Sequence, residues 1–187
     1  MQMGLYFDQS RCTGCYACSV ACKDWNDIPA GPVHYRKVTS MEKGKYPDVR
    51  LEYLSLSCNH CEKPYCAGAC PVQAISKREE DGIMVVDRET CLGPDVCGSP
   101  CKSACPYQAP QFGSEENPKM QMCHFCLDRV KADKKPACVA ACPVRALDSG
   151  PLDELKAKYG ETKNVDGFTY SEETRPSLII KPRYIKP

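Results

Sequence analysis

The chain has 187 residues, with 25 basic and 24 acidic side chains, a formal net charge of +1 and 16 cysteines. Balanced charge gives neither a basic surface for nucleic acid nor a charged tail for a membrane surface, so the sequence predicts neither partner. Val, Leu, Ile and Phe make up about 17 % of the chain, below the roughly 20 % used by an ordinary packed core. We therefore expect a component other than hydrocarbon in the core.

The amino terminus and the apolar runs give no membrane or export signal. No apolar run approaches the ~20 residues of a membrane span, so no direct span is predicted. The first residues, MQMGLYFDQSRC, contain no basic segment followed by an apolar one and no twin arginine. By its own sequence the chain is expected in the cytoplasm, where sixteen thiols bind metal more readily than they form disulfides.

The cysteines fall into four motifs of four, with none left over. In chain order their spacings are C-x2-C-x2-C-x3-C, C-x2-C-x4-C-x3-C, C-x5-C-x3-C-x3-C and C-x2-C-x11-C-x3-C. The members are Cys12, Cys15, Cys18 and Cys22; Cys58, Cys61, Cys66 and Cys70; Cys91, Cys97, Cys101 and Cys105; and Cys123, Cys126, Cys138 and Cys142. Proline follows the last cysteine of motifs two, three and four, and residues 69–75 nearly repeat as 141–147. This repeat indicates a duplicated structural unit that contains one cysteine site per copy.

This spacing is typical of [4Fe–4S] clusters. Each cluster needs four thiolates, and three closely spaced cysteines on a tight loop can reach three of its irons. The fourth cysteine follows a helical turn, and the adjacent proline ends the helix, so that this thiol points to a second cluster, as in two-cluster ferredoxins. The motifs therefore work in pairs, and four motifs predict four clusters that use all sixteen thiols. Structural zinc and a disulfide framework fit this spacing less well.

The segment between Cys70 and Cys91 predicts how the motifs pair. It indicates a short helix, a turn at 80–82 and a strand over 83–87, which is the linker of a simple two-cluster ferredoxin. This linker favours motifs two and three as one module, with motifs one and four paired around it. Spacing alone leaves sequential pairing open, with motif one joined to two and three to four.

The predicted fold is α+β, with two nested bacterial ferredoxin-like modules, irregular loops and a C-terminal extended arm. The outer module covers 1–57 and 107–150, the inserted inner module covers 58–106, and 151–187 form a C-terminal helix and a partner-contacting tail. The helix is predicted from Asp153 to Gly160, with Leu152 and Leu155 on one side. For the tail, which ends KPRYIKP, an arm lying on a partner and a frayed terminus are equally supported.

Two histidines, His60 and His124, lie inside cysteine loops. They have a functional interpretation, in which they tune a cluster or couple a proton to electron transfer. The structural interpretation is a hydrogen bond to nearby backbone, and this one is favoured.

Nearly end to end, the chain resembles the iron–sulfur electron-transfer subunits of the dimethyl sulfoxide reductase family. The matching segments are RCTGC at 11–15, ACKD at 21–24, LSCNHCE at 56–62, KRE at 77–79, DG at 81–82, ACPYQAPQF at 104–112, KPAC at 135–138, RALDSGPLDEL at 145–155 and IIKP at 179–182.

The resemblance implies a non-catalytic subunit that passes electrons between a molybdenum or tungsten bis-pterin catalytic subunit and a second partner. The second partner is a quinol-linked membrane anchor or another redox protein. In relatives, the first cluster lies nearest the catalytic subunit and the fourth faces the other partner. The resemblance also implies four ligand sets, namely Cys12, Cys15, Cys18 and Cys142; Cys22, Cys123, Cys126 and Cys138; Cys58, Cys61, Cys66 and Cys105; and Cys70, Cys91, Cys97 and Cys101. A chain without a signal can also reach a membrane or be exported together with a partner that carries one.

The third motif departs from the compact spacing of the family. Residues 93–96 lengthen its first gap and residues 98–100 its second. All four thiols persist, so we expect a four-iron cluster held by a different loop. Two alternatives to the family function are a polyferredoxin, free-standing or serving another enzyme such as a tungsten aldehyde oxidoreductase, and a zinc-built interaction module.

Overall fold

The computed structural model describes residues 1–161 and 164–183 and shows a mixed helix and strand fold. Most elements are short because the cysteine loops occupy much of the chain. In order, the elements are β1 Met3–Asp8, α1 Ala17–Trp25, β2 Lys37–Lys43, β3 Arg50–Leu56, α2 Tyr65–Gly68, β4 Ile75–Lys77, β5 Met84–Val86, α3 Pro94–Cys97, α4 Pro100–Ala104, α5 Leu127–Lys131, α6 Ala137–Ala140, β6 Leu147–Pro151, α7 Leu152–Tyr159 and β7 Leu178–Lys181.

A three-stranded sheet has the order β6-β1-β7, with β1 antiparallel to β6 and parallel to β7. The central strand is apolar on both faces because both are covered. Leu5 and Phe7 pack into the main core, whereas Tyr6 lies against Leu152 and Leu155 of α7. The sheet thereby joins the chain's amino terminus to the segment that follows the fourth motif.

Two antiparallel hairpins complete the strand structure. One pairs β2 with β3 from Lys37↔Leu56 to Lys43↔Arg50, and the other pairs β4 with β5 from Ile75↔Val86 to Lys77↔Met84. The strand predicted over 83–87 is therefore confirmed as β5. The second hairpin lies between the second and third cysteine motifs, where the sequence predicts the ferredoxin-like linker.

The predicted short helix after Cys70 is wrong. Residues 71–74 form a turn that leads directly into β4. The physical reason is that Gln73 has φ 53°, in the left-handed region, which a right-handed α-helix does not tolerate. The N–H of Ala74 donates to the sulfur of Cys70 instead of to a helical carbonyl.

The C-terminal helix is confirmed as α7, with Leu152 and Leu155 buried. It ends at Gly160, whose φ of 83° suits a residue without a side chain.

Part of the tail prediction needs correction. Residues 178–181 form β7 within the chain's own sheet, because their apolar side chains complete both cores beside β1. The N–H groups of Glu62 and Lys63 also donate to the carbonyls of Arg175 and Thr174. Residues 178–181 are therefore not a frayed end, and the contact of the tail with a partner stays a prediction. Residues 184–187 of the predicted arm lie outside the described residues.

Cysteine contributes heavily to the interior, as the scarcity of aliphatic residues predicts. The main core joins Leu5, Phe7 and Ile180 to Cys22 and Cys138. A second core contains Cys58, Cys66, Cys91, Cys101 and Cys123 together with Ile75, Met84, Met120 and Met122. Eight of the sixteen cysteines are buried.

Candidate metal centres

All sixteen cysteines are free thiols in the structure. They gather into four groups, which we call the first to fourth thiol sets. The sets are Cys12, Cys15, Cys18 and Cys142; Cys22, Cys123, Cys126 and Cys138; Cys58, Cys61, Cys66 and Cys105; and Cys70, Cys91, Cys97 and Cys101. These are the groups that the family resemblance implies.

Three of the sets each line one cavity. In each of the first, second and fourth sets, all four thiols face the same small cavity.

The third set is recognised from the effect of its thiols on one another. Burial raises the pKa of the Cys66 thiol to about 12, and the neighbouring Cys105 and Cys61 contribute to the rise. Burial likewise raises the pKa of Cys61 to about 11, with Cys105 again adding to the effect. Cys58 is fully buried, and its pKa is raised well above the ordinary value by that burial and by Cys66 and Cys61.

Strand pairing explains why the first and second sets combine cysteines from the two ends of the chain. Phe7 of β1, which precedes the first motif, is opposite Leu147 of β6, which follows the fourth motif. Helices α1 and α6, which carry Cys22 and Cys138, also pack together. Gly14 keeps the intervening loop tight, because it has φ 69° and a side chain there would collide with the ring of Tyr53.

A repeated turn presents the last cysteine of motifs two, three and four. In each Cys-Pro-x-x-Ala segment, the residue before the alanine has a positive φ, and the alanine N–H donates to the cysteine sulfur. The three N–H···Sγ distances are 3.3 Å for Ala74 and Cys70, 3.5 Å for Ala109 and Cys105, and 3.2 Å for Ala146 and Cys142. Such donors stabilise negative charge on cluster sulfurs.

The last cysteine of motif one, Cys22, has a side-chain donor near its sulfur instead of this turn. No proline follows Cys22, and α1 continues to Trp25. Four residues after Cys22, where the other motifs place alanine, the side chain of Asn26 donates from Nδ2 to the Cys22 carbonyl at 2.7 Å and lies 3.8 Å from its sulfur. Sequence reasoning missed Asn26, although aligning the four motifs on their last cysteine would have revealed it.

The lengthened third motif forms two short helices. Gly93, with φ 85°, precedes α3, and Gly98 and Ser99, with φ 68° and 50°, separate α3 from α4. The additional residues thus make a helical turn whose Val96 side chain is 68 % exposed. All four thiols of the fourth set still line one cavity.

His60 and His124 make the local hydrogen bonds that the favoured interpretation predicts. The Nδ1 atom of His60 accepts from the N–H of Met84 at 3.0 Å, and Nδ1 of His124 accepts from Leu127 at 3.4 Å. Burial lowers the pKa of both imidazoles, that of His60 to about 3.

The donor sets fit iron–sulfur clusters. Each offers four soft thiols, and further N–H groups donate to sulfur from Met120 to Cys91 and from Phe125 to Cys123. Within 1–161 and 164–183, no group of three or more His, Cys, Asp or Glu side chains is close enough to hold a single metal ion. Thiols arranged around a cavity, rather than converging on a point, favour a multi-iron cluster over zinc.

The described part of the chain has no helix that is long and apolar enough to cross a membrane.

Comparison with known proteins agrees with the site. A family model described as a 4Fe–4S dicluster domain matches residues 49–152. The sequence is 43 % identical to the B chain of anaerobic dimethyl sulfoxide reductase from Escherichia coli K12, over 97 % of this chain and 89 % of that protein. It is 39 % identical to the thiosulfate reductase electron transfer subunit PhsB of Salmonella typhi, over 82 % and 78 %, and 34 % identical to the B subunit of sulfite dehydrogenase from Allochromatium vinosum, over 97 % and 83 %.

These relatives and the four thiol sets identify both the cofactor and the general role of the chain. Its cofactors are [4Fe–4S] clusters and its work is electron transfer. The chain belongs to the family of iron–sulfur electron-transfer subunits that serve dimethyl sulfoxide reductase and similar oxidoreductases.

Proposed function

We propose that this chain relays electrons between a molybdenum or tungsten bis-pterin catalytic subunit and a second redox partner. Each thiol set holds one [4Fe–4S] cluster, and the chain itself is non-catalytic. The first two sets belong to an outer ferredoxin-like module and the last two to an inner one nested within it. The observation that carries the proposal is the assembly of four thiol sets in which cysteines of different motifs meet.

Successive sets are neighbours in the order first, second, third and fourth. Cys18 of the first set lies near Cys138 of the second, and Cys123 of the second lies near Cys58 of the third. Cys66 of the third set lies near Cys101 of the fourth.

This order of contacts supports a single path from the first set to the fourth. When bound, each cluster supplies a one-electron carrier. The protein holds neighbouring carriers close together and keeps the middle of the path dry, since all four cysteines of the second set are buried.

The two ends of the path reach the surface beside exposed apolar side chains. Cys15 of the first set is exposed, as is the adjacent Tyr16 at 46 %, and further along α1 Val20 and Trp25 are 65 % and 45 % exposed. This surface suits the catalytic subunit.

At the fourth set, Leu92 and Val96 are exposed in the same way. This surface suits a membrane anchor or a soluble redox protein. Any membrane location or export of the chain comes through these partners.

Purification of the native complex tests the proposal. We expect a brown chain with about sixteen irons, copurifying with a larger pterin-containing subunit. A colourless or zinc-bound chain would overturn the cluster assignment, and a brown chain that always purifies alone would favour a free-standing polyferredoxin.

Single substitutions test the ligand sets. Cys126→Ser is expected to alter the electron paramagnetic resonance signal of one cluster and leave three intact, whereas Ser103→Ala, beside but outside the fourth set, should alter none. Loss of two clusters from Cys126→Ser would contradict the assignment of one cluster to each set.

A further inference from the structure

A buried arginine lies between the first and second thiol sets. Arg36 is 2 % exposed and precedes β2, outside all four cysteine motifs. Its side chain lines the cavity of the second set together with Cys22, Cys123 and Cys138.

The guanidinium is fixed in place by neutral oxygen atoms. Nη1 donates to the carbonyl and the hydroxyl of Ser55 at 3.2 and 3.3 Å, and Nη2 donates to the hydroxyl of Ser57 at 3.0 Å. The same Ser55 hydroxyl lies 3.5 Å from the sulfur of Cys18 in the first set. The remaining donor, Nε, is buried without a partner among the described residues.

No carboxylate in the described part of the chain forms an ion pair with Arg36. A buried charge without a counter-charge is costly. Burial alone lowers the pKa of Arg36, but the surrounding thiols, led by Cys138 and Cys123, outweigh burial and raise it. The thiols that line the cavity beside Arg36 become negatively charged thiolates when they ligate a cluster, and that charge would balance the guanidinium.

We propose that Arg36 is a positioning residue for electron transfer, a fixed positive charge that raises the reduction potentials of the clusters in the second and first sets. The inference rests on the proposed ligand sets. Reduction adds one electron to a cluster and neither forms nor breaks a bond, so the cluster becomes more negative by one charge. A nearby buried cation stabilises this reduced state more than the oxidised state.

The charge of Arg36 affects the reduction potentials of the four clusters unequally. The guanidinium faces thiols of the first two sets, and its principal thiol neighbours belong to these sets alone. The two potentials at the catalytic end are therefore raised relative to those at the other end. This would draw electrons toward that end.

The test is a redox titration of the whole complex, followed by electron paramagnetic resonance. Arg36→Gln is expected to lower two of the four midpoint potentials and leave the other two unchanged. Arg36→Lys is expected to lower the same two by less, because a lysine keeps the charge but cannot face both sets while bonded to Ser55 and Ser57. The matched control is Arg78→Gln, which removes an arginine charge paired with Glu80 and Asp81 and should move none.

Two outcomes overturn the inference: four unchanged potentials in a fully loaded Arg36→Gln complex, or an equal fall in all four. If the glutamine variant does not load iron, Arg36→Met, which removes the charge while filling the site with an unbranched apolar side chain, decides, and four unchanged potentials in it overturn the inference. Iron content and the number of signals in the unmodified complex separately test the proposed function. If the wild-type complex contains four clusters but the Arg36 variants keep the wild-type potentials, only the role of Arg36 is refuted.

Discussion

The backbone N–H of Ala146 donates to the sulfur of Cys142 across 3.2 Å. The intervening Arg145 makes this possible by adopting φ 51°, and the same turn recurs at Gln73 and Gln108. Each turn directs an amide at a thiol whose negative charge would otherwise be stabilised less well. The recurring Cys-Pro-x-x-Ala sequence is thus a way to build one N–H···S bond.

Substitution of Gln73 tests the energetic cost of this turn. A β-branched residue is especially unfavourable at positive φ, so Gln73→Val is expected to destabilise the loaded protein by about 1–2 kcal/mol. Gln73→Gly should be tolerated because glycine adopts this conformation readily. The measurement is the temperature at which visible iron–sulfur absorbance is lost. Equal melting of the two variants would show that the left-handed conformation has no cost here.

Asn26 provides a second test, at the one motif without this turn. Asn26→Leu removes the side-chain donor near the sulfur of Cys22 while keeping a similar volume. Because hydrogen bonds to cluster sulfurs raise the reduction potential, one midpoint potential should fall. Asn26→Gln, which retains the amide, is the matched control. A leucine variant whose four potentials all match those of the native protein would exclude this role.

Removal of iron should unfold most of the chain. The interior is made from thiols at Cys22, Cys58, Cys101 and Cys123 as much as from hydrocarbon, and binding free energy becomes folding free energy in such proteins. We expect chelated, colourless protein to lose native circular dichroism and to show no cooperative melt. Reconstitution with iron and sulfide should restore both. Iron-free protein that melts cooperatively from a native-like spectrum would contradict this expectation.

Asp148 tests the attachment of α7 to the sheet. Its carboxylate accepts hydrogen bonds from Lys135, Lys158 and Tyr159 at 2.9, 3.1 and 2.8 Å. Burial alone raises the pKa of Asp148, but these bonds outweigh burial and hold the pKa well below its usual range. Asp148→Asn is expected to cost about 1–2 kcal/mol, measured as faster amide exchange in α7.

The pH dependence of that attachment follows from the sign of the shift. A group whose pKa is lowered on folding stabilises the fold at pH values above its unfolded pKa, which is about 3.9, and loses that contribution as the pH falls further. Protection of α7 should therefore hold near neutral pH and decline below about pH 4 in the native protein. The asparagine variant should lack this decline. Asp153→Asn, at an exposed position of α7, is the control and should behave as the native protein does.

The sequence is most informative where cysteine spacing constrains the chain. Cofactor type follows from the motifs, and the ligand sets implied by resemblance coincide with the sets that the structure brings together. The ligation of iron by those sets stays a prediction. Helix α7 is also predictable, because Leu152 and Leu155 have helical spacing and Gly160 ends the pattern.

Features that depend on distant contacts are not predictable in this way. A helix after Cys70 is reasonable from composition, but the left-handed Gln73 and the bond to sulfur exclude it. The pairing of β7 with β1 joins segments over 170 residues apart, and nothing near residue 178 indicates its partner. The role proposed for Arg36 cannot be predicted from the sequence, because this arginine lies outside every motif and only the fold places it beside the thiols.

Because β7 follows the fourth cysteine motif in the chain but pairs with β1, the order of synthesis limits when the protein can fold and bind iron. The first thiol set is incomplete until Cys142 has been synthesised. The three-stranded sheet likewise lacks one of its two outer strands until residue 181 has left the ribosome. Iron delivery to the first two sets consequently has to wait for the fourth motif, whereas the third and fourth sets are complete once Cys105 has been made. The four thiols of the first motif must therefore stay reduced and unligated while the intervening segment is synthesised.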